Sequence, residues 1–318
     1  MTPIEKEGYV YPVYGDVKYL SYAVASAITL RRYDTTRPIA LVCEAHHAEL
    51  LKTHDITIFD VVHPIAPEHR GIVGFKHNVH HYRLFDRTLF LDCDMVWTKS
   101  PDRLWASFAP YDFTITGMMT SDVFFGAPKH FGVLKDMLLM RRKRTLKRFG
   151  LTYLSRVQSG MIYVRDADLA RRVCETAGEM LRRKGETHFQ SRLKESGRSE
   201  ESCEWSLAMA MSKLDVPVYP WLLGQESPQL DFIHDLTTYD PDFKTVTCRY
   251  YCDPFVYSLR GIKSTSLRKF LIGYLSLFSG MGDHMNVTPY VVHFGWLREK
   301  QPFYRFAERM WAQATARG

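Results

Sequence analysis

The sequence predicts an α/β fold with a mainly parallel central sheet flanked by helices. Three observations predict it. Strand and helix patterns alternate through about the first sixty residues, the order that βαβ units require. Residues 39–42, Ile-Ala-Leu-Val, form the compact apolar run of a strand buried on both faces. A second such run, at residues 88–91, leads straight into Asp92-Cys93-Asp94. Ligands of open α/β sheets gather beyond the carboxyl ends of strands, so this carboxylate pair sits where chemistry is expected.

The elements follow in order. Residues 10–13 read as the first strand, and Gly15-Asp16 as the turn after it. Residues 19–30 place Leu20, Ala23, Val24, Ala27, Ile28 and Leu30 at helical spacing. Pro38 breaks the chain before the strand at 39–42; a helix at 45–52 and a strand at 56–62 complete the alternation. Residues 76–85 are expected to form a helix that feeds the strand at 88–91. Strands are expected at 113–116 and 160–164, with a helix over 131–148 between them. Helices are read at 167–183 and 204–214, a polar loop at 186–201, and a strand at 216–219. Residues 224–254 read as irregular and aromatic-rich, 289–293 as a last strand, and 303–315 as an amphipathic helix. The expected organisation is a core over 1–223, with 224–318 a helical or irregular extension closing the site in one continuous domain.

With 318 residues, 46% of them hydrophobic, the chain can bury a sizeable core. The net charge of +7 suits a phosphate-bearing partner: a nucleotide, an acidic lipid surface or nucleic acid. No recognisable nucleic-acid motif accompanies the charge, so nucleic acid is not expected. The basic run Arg141-Arg142-Lys143-Arg144 with Lys147 and Arg148 reads either as a solvated face or as peripheral contact with an anionic membrane. Arg268-Lys269 and the apolar residues after them read either as an interfacial segment or as a buried helix. No apolar run reaches the ~18 residues of a spanning helix. The N-terminus lacks the basic-then-apolar order of a signal peptide, and a cytoplasmic location is expected. The six cysteines read as free thiols. Cys248 and Cys252 lack a second ligand pair for zinc, and His77 with His81 lacks a third ligand.

Carboxylates two residues apart at a strand end can share a hard divalent cation, Mn2+ or Mg2+. Such a cation bridges paired phosphates and neutralises a departing nucleotide. Alone, Asp-x-Asp also reads as a turn with solvated carboxylates. The surroundings add to it. Phe75-Lys76, a helix, Phe85-Asp86-Arg87, an apolar strand and Asp92-Cys93-Asp94-Met95-Val96 resemble the core of the family-8 glycosyltransferases, which include glycogenin and bacterial lipopolysaccharide galactosyltransferases. Asp16-Val17-Lys18-Tyr19, Gln158-Ser159-Gly160-Met161-Ile162 and His293-Phe294-Gly295 are similar to further motifs of that family, in the same order. The resemblance spans about residues 9–165 well and the remainder thinly.

That resemblance implies a GT-A fold and a metal-dependent hexosyltransferase. The donor would be a nucleotide-diphosphate sugar, UDP-glucose or UDP-galactose. The acceptor would be a saccharide, a lipid-linked group or a protein, and the anomeric configuration would be retained. It implies Asp92, Asp94 and His293 as ligands of Mn2+ or Mg2+. It places Tyr14, Gly15, Asp16 and Tyr19 around the nucleotide, with Tyr19 stacked on the base. It sets Asp92 and Cys93 with the bound donor and Lys76 against a phosphate or a nearby carboxylate, and Gln158 and Glu204 at catalytic positions. Read singly, Tyr19 is also a core aromatic, Lys76 a solvated lysine and His293 a satisfied strand-end histidine. The chain departs from the family in three places. Gln158 replaces an Asn, Gly295 comes one residue early with neither Arg298 nor Lys300 at the following lysine's spacing, and Ser202-Cys203-Glu204-Trp205 replaces an acidic-Gln-acidic run. Two other classes share some of these features. A sugar nucleotidyltransferase usually has a Gly-rich basic segment after the first strand, where Tyr14-Gly15-Asp16 offers one glycine and no Arg. A non-catalytic relative would bind nucleotide through the same cleft.

Overall fold

In the computed structural model, β1 (Glu7–Val13), β2 (Ile39–Cys43), β3 (Val61–Pro64) and β4 (Arg87–Leu91) run parallel in the order β3-β2-β1-β4. Residues 6–120, 138–189, 191, 193, 200–251, 262, 264–275, 277 and 284–316 are described. A short strand, β5 (Met95–Trp97), follows β4 but leaves the sheet. β6 (Phe113–Met118), β7 (Arg156–Val164) and β8 (Tyr219–Pro220) extend the sheet, with β7 antiparallel to both β4 and β6. The sheet is therefore mainly parallel, with one reversed strand beside the one that carries the carboxylates.

Alternation along β1 sorts the helices onto two faces. Tyr9, Tyr11 and Val13 face α1 (Lys18–Arg31) and α4 (Asp102–Phe108). Val10 faces the other core, built from α3 (Ile72–Lys76), α6 (Ala167–Arg182) and α7 (Glu204–Lys213). α2 (Ala45–Thr53) joins the first core through Leu51. α5 (Arg141–Phe149) packs by Phe149 against Met180 and Trp205. Arg144, Lys147 and Arg148 on α5 are exposed.

Several expectations are corrected. The helix expected over 76–85 is instead α3 followed by a 3-10 turn at Val79–Tyr82. The Asn78 side-chain amide donates to the Gly74 carbonyl at 2.8 Å, the acceptor that the helical backbone would otherwise use. Such local side-chain bonds compete with helix. The strand expected at 56–62 begins only at Val61, and that expected at 216–219 only at Tyr219. The expected helix at 131–148 is described only from its C-terminal part, α5; residues 131–137 lie outside the described residues.

The C-terminal segment, expected to be helical or irregular, contains sheet. β9 (Gln229–Asp231) pairs with β13 (Val291–His293), which pairs antiparallel with β5. β10 (Thr237–Tyr239), β11 (Val246–Tyr250) and β12 (Met285–Val287) form a second small sheet. β13 falls within the strand expected at 289–293; the other strands, of three to five residues, carry too little alternation to be read as strands. Cys252 lies outside the described residues. α8 (Thr265–Leu275) buries Arg268 and Ile272 and exposes Phe270. α9 (Gln301–Thr315) lies on α1, where Tyr22 meets Phe303 and stacks on Tyr304. Among the described residues, no helix is long and apolar enough to cross a membrane.

Candidate functional site

The end of β4 sets the site. The Asp92 N–H donates to the Gly160 carbonyl of β7 at 2.9 Å, which fixes where the chain leaves the sheet. Asp94 then enters β5, and its carbonyl accepts the Phe294 N–H at 2.9 Å. β13 pairs with β5 so that His293 lies opposite Met95. The register brings His293 Nε2 to 3.6 Å from Asp92 Oδ2 and 3.5 Å from Asp94 Oδ1. One ligand atom from each of Asp92, Asp94 and His293 falls within 4.8 Å of the others, so the three can hold a metal ion.

Each member of this triad has its own support. Asp231, at the end of β9, lies 3.0 Å from His293 Nδ1 and accepts from Trp296 Nε1 at 2.9 Å. Gln158 Nε2 also donates to Asp231, at 2.5 Å. With Nδ1 held by Asp231, the ring is fixed so that Nε2 faces the two carboxylates; without a metal that nitrogen is protonated, and a bound cation would stand in place of its proton. Gly295 permits this packing, because a Cβ there would stand 2.7 Å from His293 Cε1 and 3.1 Å from Asp231 Oδ1. Lys76 is 7% exposed, so it is no solvated lysine. Its ammonium lies 2.8 Å from Asp92 Oδ1 and donates to Ser159 Oγ at 3.0 Å. Lys300, at the start of α9, pairs with Asp94 Oδ2 at 2.5 Å.

Charge follows this geometry. Burial works to raise the Asp94 carboxyl pKa, but Lys300 and His293 overcome it and hold it well below the usual carboxylate range. The same balance lowers Asp92, with Lys76 as the main opposing charge. Burial opposes charge on His293, yet Asp231, Asp92 and Asp94 raise its pKa well above the ordinary value. Two carboxylates are thus held ionised in a water-poor pocket by two ammonium groups and an imidazole.

The β1–α1 turn forms the neighbouring wall. Tyr14 is partly buried, and burial and then the Asp92 charge push its hydroxyl pKa up. Gly15 adopts φ 77°, a conformation that favours glycine. Asp16 Oδ1 accepts the Lys18 N–H at 2.9 Å and shapes the start of α1. Tyr19 is 42% exposed, so it is not a core aromatic; its ring meets the edge of Tyr22. Cys93 turns its thiol to the Pro12 carbonyl, at 3.0 Å. Gln158 is 5% exposed, with its amide nitrogen 2.5 Å from Asp231 Oδ1 and 2.9 Å from His293 Nδ1. Glu204 opens α7 and is partly buried, and its charge helps hold the Lys76 pKa up. The neighbouring Cys203 is buried, its sulfur 3.4 Å from Ser159 Oγ.

Asp231 and Lys300 were not singled out by the sequence as site residues. Asp231 sits in a stretch without periodicity, and Lys300 falls at a spacing the family motif does not use. The cue for Asp231 was chemical: a histidine that binds metal needs an acceptor for its second nitrogen. Beyond Asp231 lies a cavity of about 60 Å³ lined in part by Trp221, Trp296, Arg249 and Tyr250.

The donor set of two carboxylate oxygens and one imidazole nitrogen suits a hard to borderline divalent cation. No family model matches the chain, and no curated protein does. Solved structures do. Galactosyltransferase LgtC, in complex with donor and acceptor sugar analogs, aligns over 98% of this chain and 95% of its own, with TM-score 0.51 and 12% identity. An active-site variant of LgtC aligns over the same shares, with TM-score 0.50 and 11% identity. At these identities the likeness shows the fold, and that fold is the GT-A arrangement of those glycosyltransferases.

Proposed function

We propose that the chain is a metal-dependent glycosyltransferase that moves a hexose from a nucleotide-diphosphate sugar to an acceptor hydroxyl. The observation that carries this reading is the orientation of His293. One ring nitrogen lies near Asp231, and the other faces both carboxylates of an Asp-x-Asp at a strand end. The GT-A fold supports it as the setting.

A divalent cation held by Asp92, Asp94 and His293, Mn2+ or Mg2+, would supply charge neutralisation at the donor's diphosphate. The chain's own groups do the rest. Lys300 neutralises Asp94 and, being at a helix start, is placed to pair with a phosphate instead. Lys76 holds Asp92 in position. Tyr19 offers an exposed ring to the base, and the Tyr14-Gly15-Asp16 turn borders it. Cys93 contributes the backbone of the turn between the ligands. Gln158 positions His293 both directly, at Nδ1, and through Asp231, and Glu204 stands near Lys76.

UDP-glucose or UDP-galactose is the donor we propose, with retention. In that route the anomeric bond to the diphosphate breaks as the acceptor oxygen bonds the same face. The acceptor proton passes to the departing phosphate oxygen, so no carboxylate nucleophile is required. The acceptor, a saccharide, lipid-linked group or protein, would enter from the side of residues 225–263, of which 252–261 and 263 lie outside the described residues. The exposed Arg144 and Lys147 of α5 suit an acceptor presented at an anionic surface in the cytoplasm.

Thermal melting with a panel of nucleotides and nucleotide sugars, with and without Mn2+, tests the reading. A matched diphosphate at a hundredfold excess over Kd should stabilise by about 2.7 kcal/mol, only with metal. Asp94→Asn should melt normally in the absence of ligands, lose that shift and lose transfer. Full transfer activity in Asp94→Asn, or no shift with any nucleotide, would remove the proposal.

A further inference from the structure

The turn after β2 carries a second group of ligand-type side chains. Glu44 precedes α2, and His46 and His47 lie in its first turn. One ligand atom from each falls within 4.8 Å of the other two. His46 is exposed, Glu44 is partly buried, and His47 is 0% exposed. The two imidazole rings stand 3.8 Å apart, centroid to centroid. Neither ring nitrogen of His47 meets a partner in good hydrogen-bond geometry, although the Gly15 and Asp16 backbone lies close enough to act on the ring's charge. Leaving a buried polar group unpaired costs about 1–3 kcal/mol, and proteins meet that need with a partner, a water or an ion.

The partners of the other two leave room for a cation. Glu44 Oε2 accepts the Gly15 N–H at 2.6 Å, and Glu44 Oε1 pairs with Arg70 at 3.0 Å. A carboxylate has about four acceptor positions, so either oxygen can also bind a metal. His46 Nε2 lies 3.2 Å from the Gly15 carbonyl, and its exposed ring is free to turn.

We propose that Glu44, His46 and His47 form a second metal site, for a borderline transition-metal cation such as Zn2+. Two imidazole nitrogens and one carboxylate oxygen are a ligand set zinc takes when a fourth position stays open. Tetrahedral bonds of about 2.0–2.1 Å set ligand atoms roughly 3.4 Å apart, a spacing that rotation of His46 can close to. The imidazole-rich set distinguishes this site from Asp92, Asp94 and His293, whose two carboxylates suit Mn2+ or Mg2+. Glu44 keeps the Gly15 N–H, so a cation there would tie α2 to the turn that carries Asp16.

Calorimetric titration of the full chain with Zn2+ alone, without nucleotide, tests this. The Asp94→Asn variant should keep one Zn2+ equivalent bound as tightly as the parent. His46→Ala and Glu44→Gln should each weaken that equivalent tenfold or more, with unchanged far-ultraviolet circular dichroism. If one of these variants melts lower without metal, the other decides. The proposal fails if the parent binds no zinc. It also fails if His46→Ala and Glu44→Gln bind like the parent, or if Asp94→Asn abolishes all zinc binding. None of these outcomes depends on whether the chain transfers sugar.

Discussion

Asp231 governs what His293 can do. Without an acceptor at Nδ1, the imidazole could present either tautomer to Asp92 and Asp94, and the ring could turn. With Asp231 at 3.0 Å, the Nδ1 proton has a place and Nε2 a direction. Partners of this kind are worth 10–100-fold in metal affinity. Asp231→Asn should therefore weaken Mn2+ binding by about 10–100-fold, read by titration, while the melting temperature stays near the parent's. Gly295→Ala should act the same way by pushing on the ring, since its Cβ would stand 2.7 Å from His293 Cε1. Unchanged Mn2+ affinity in both variants would mean that His293 does not bind the metal. Asp92, Asp94 and Lys76 were legible in the sequence because their chemistry is packed into local patterns at one strand end. Asp231 and Lys300 were not, because their places depend on β9 pairing with β13 and on where α9 begins.

At the scale of elements, α9 links stability to the site. Phe303 is fully buried between Tyr22 of α1, at 5.3 Å, and Phe294, at 5.0 Å. Lys300 lies one turn before it, paired with Asp94. Truncation at Phe303 leaves a cavity under the helix start and should cost about 3–5 kcal/mol. We expect Phe303→Ala to lower the urea midpoint by that measure and, in the fraction still folded, to weaken diphosphate binding more than Mn2+ binding. Equal losses for both ligands would detach Lys300 from the phosphate role. Long, strongly periodic elements such as α1 and α6 could be read from the sequence. The helix over 76–85 could not, because one side-chain amide at Asn78 outcompetes the backbone after a single turn. Apart from the strand expected at 289–293, the small sheets between 229 and 293 were illegible for the opposite reason: each strand is too short to show a period, and partners distant in sequence hold it.

For the molecule as a whole, histidines held neutral by burial, His47, His77, His80 and His188 among them, contribute to the response to acid. His77 donates to or accepts from Ser206 Oγ at 3.0 Å, and His188 meets Thr145 Oγ1 at 3.0 Å. Burial lowers both pKa values to about 4. An unfolded histidine titrates near 6.5, so between about pH 6.5 and 4 the unfolded chain binds protons that the folded chain refuses. The stability these groups provide is complete above pH 6.5 and is lost as pH falls through that window. His293 has the opposite sign, since its folded pKa is raised. Its contribution is present below pH 6.5 and fades only above it, so it does not mask the loss. Each buried histidine can account for up to about 3 kcal/mol across the window. Urea unfolding with chelator present should show midpoints falling steadily from pH 7 to pH 4.5. His77→Gln, which keeps a polar group for Ser206 but cannot titrate, should flatten that slope while lowering stability at pH 7 by no more than about 1–2 kcal/mol. A slope identical to the parent's would show that His77 charges in the folded state as readily as in the unfolded one, and would place the acid response elsewhere in the chain.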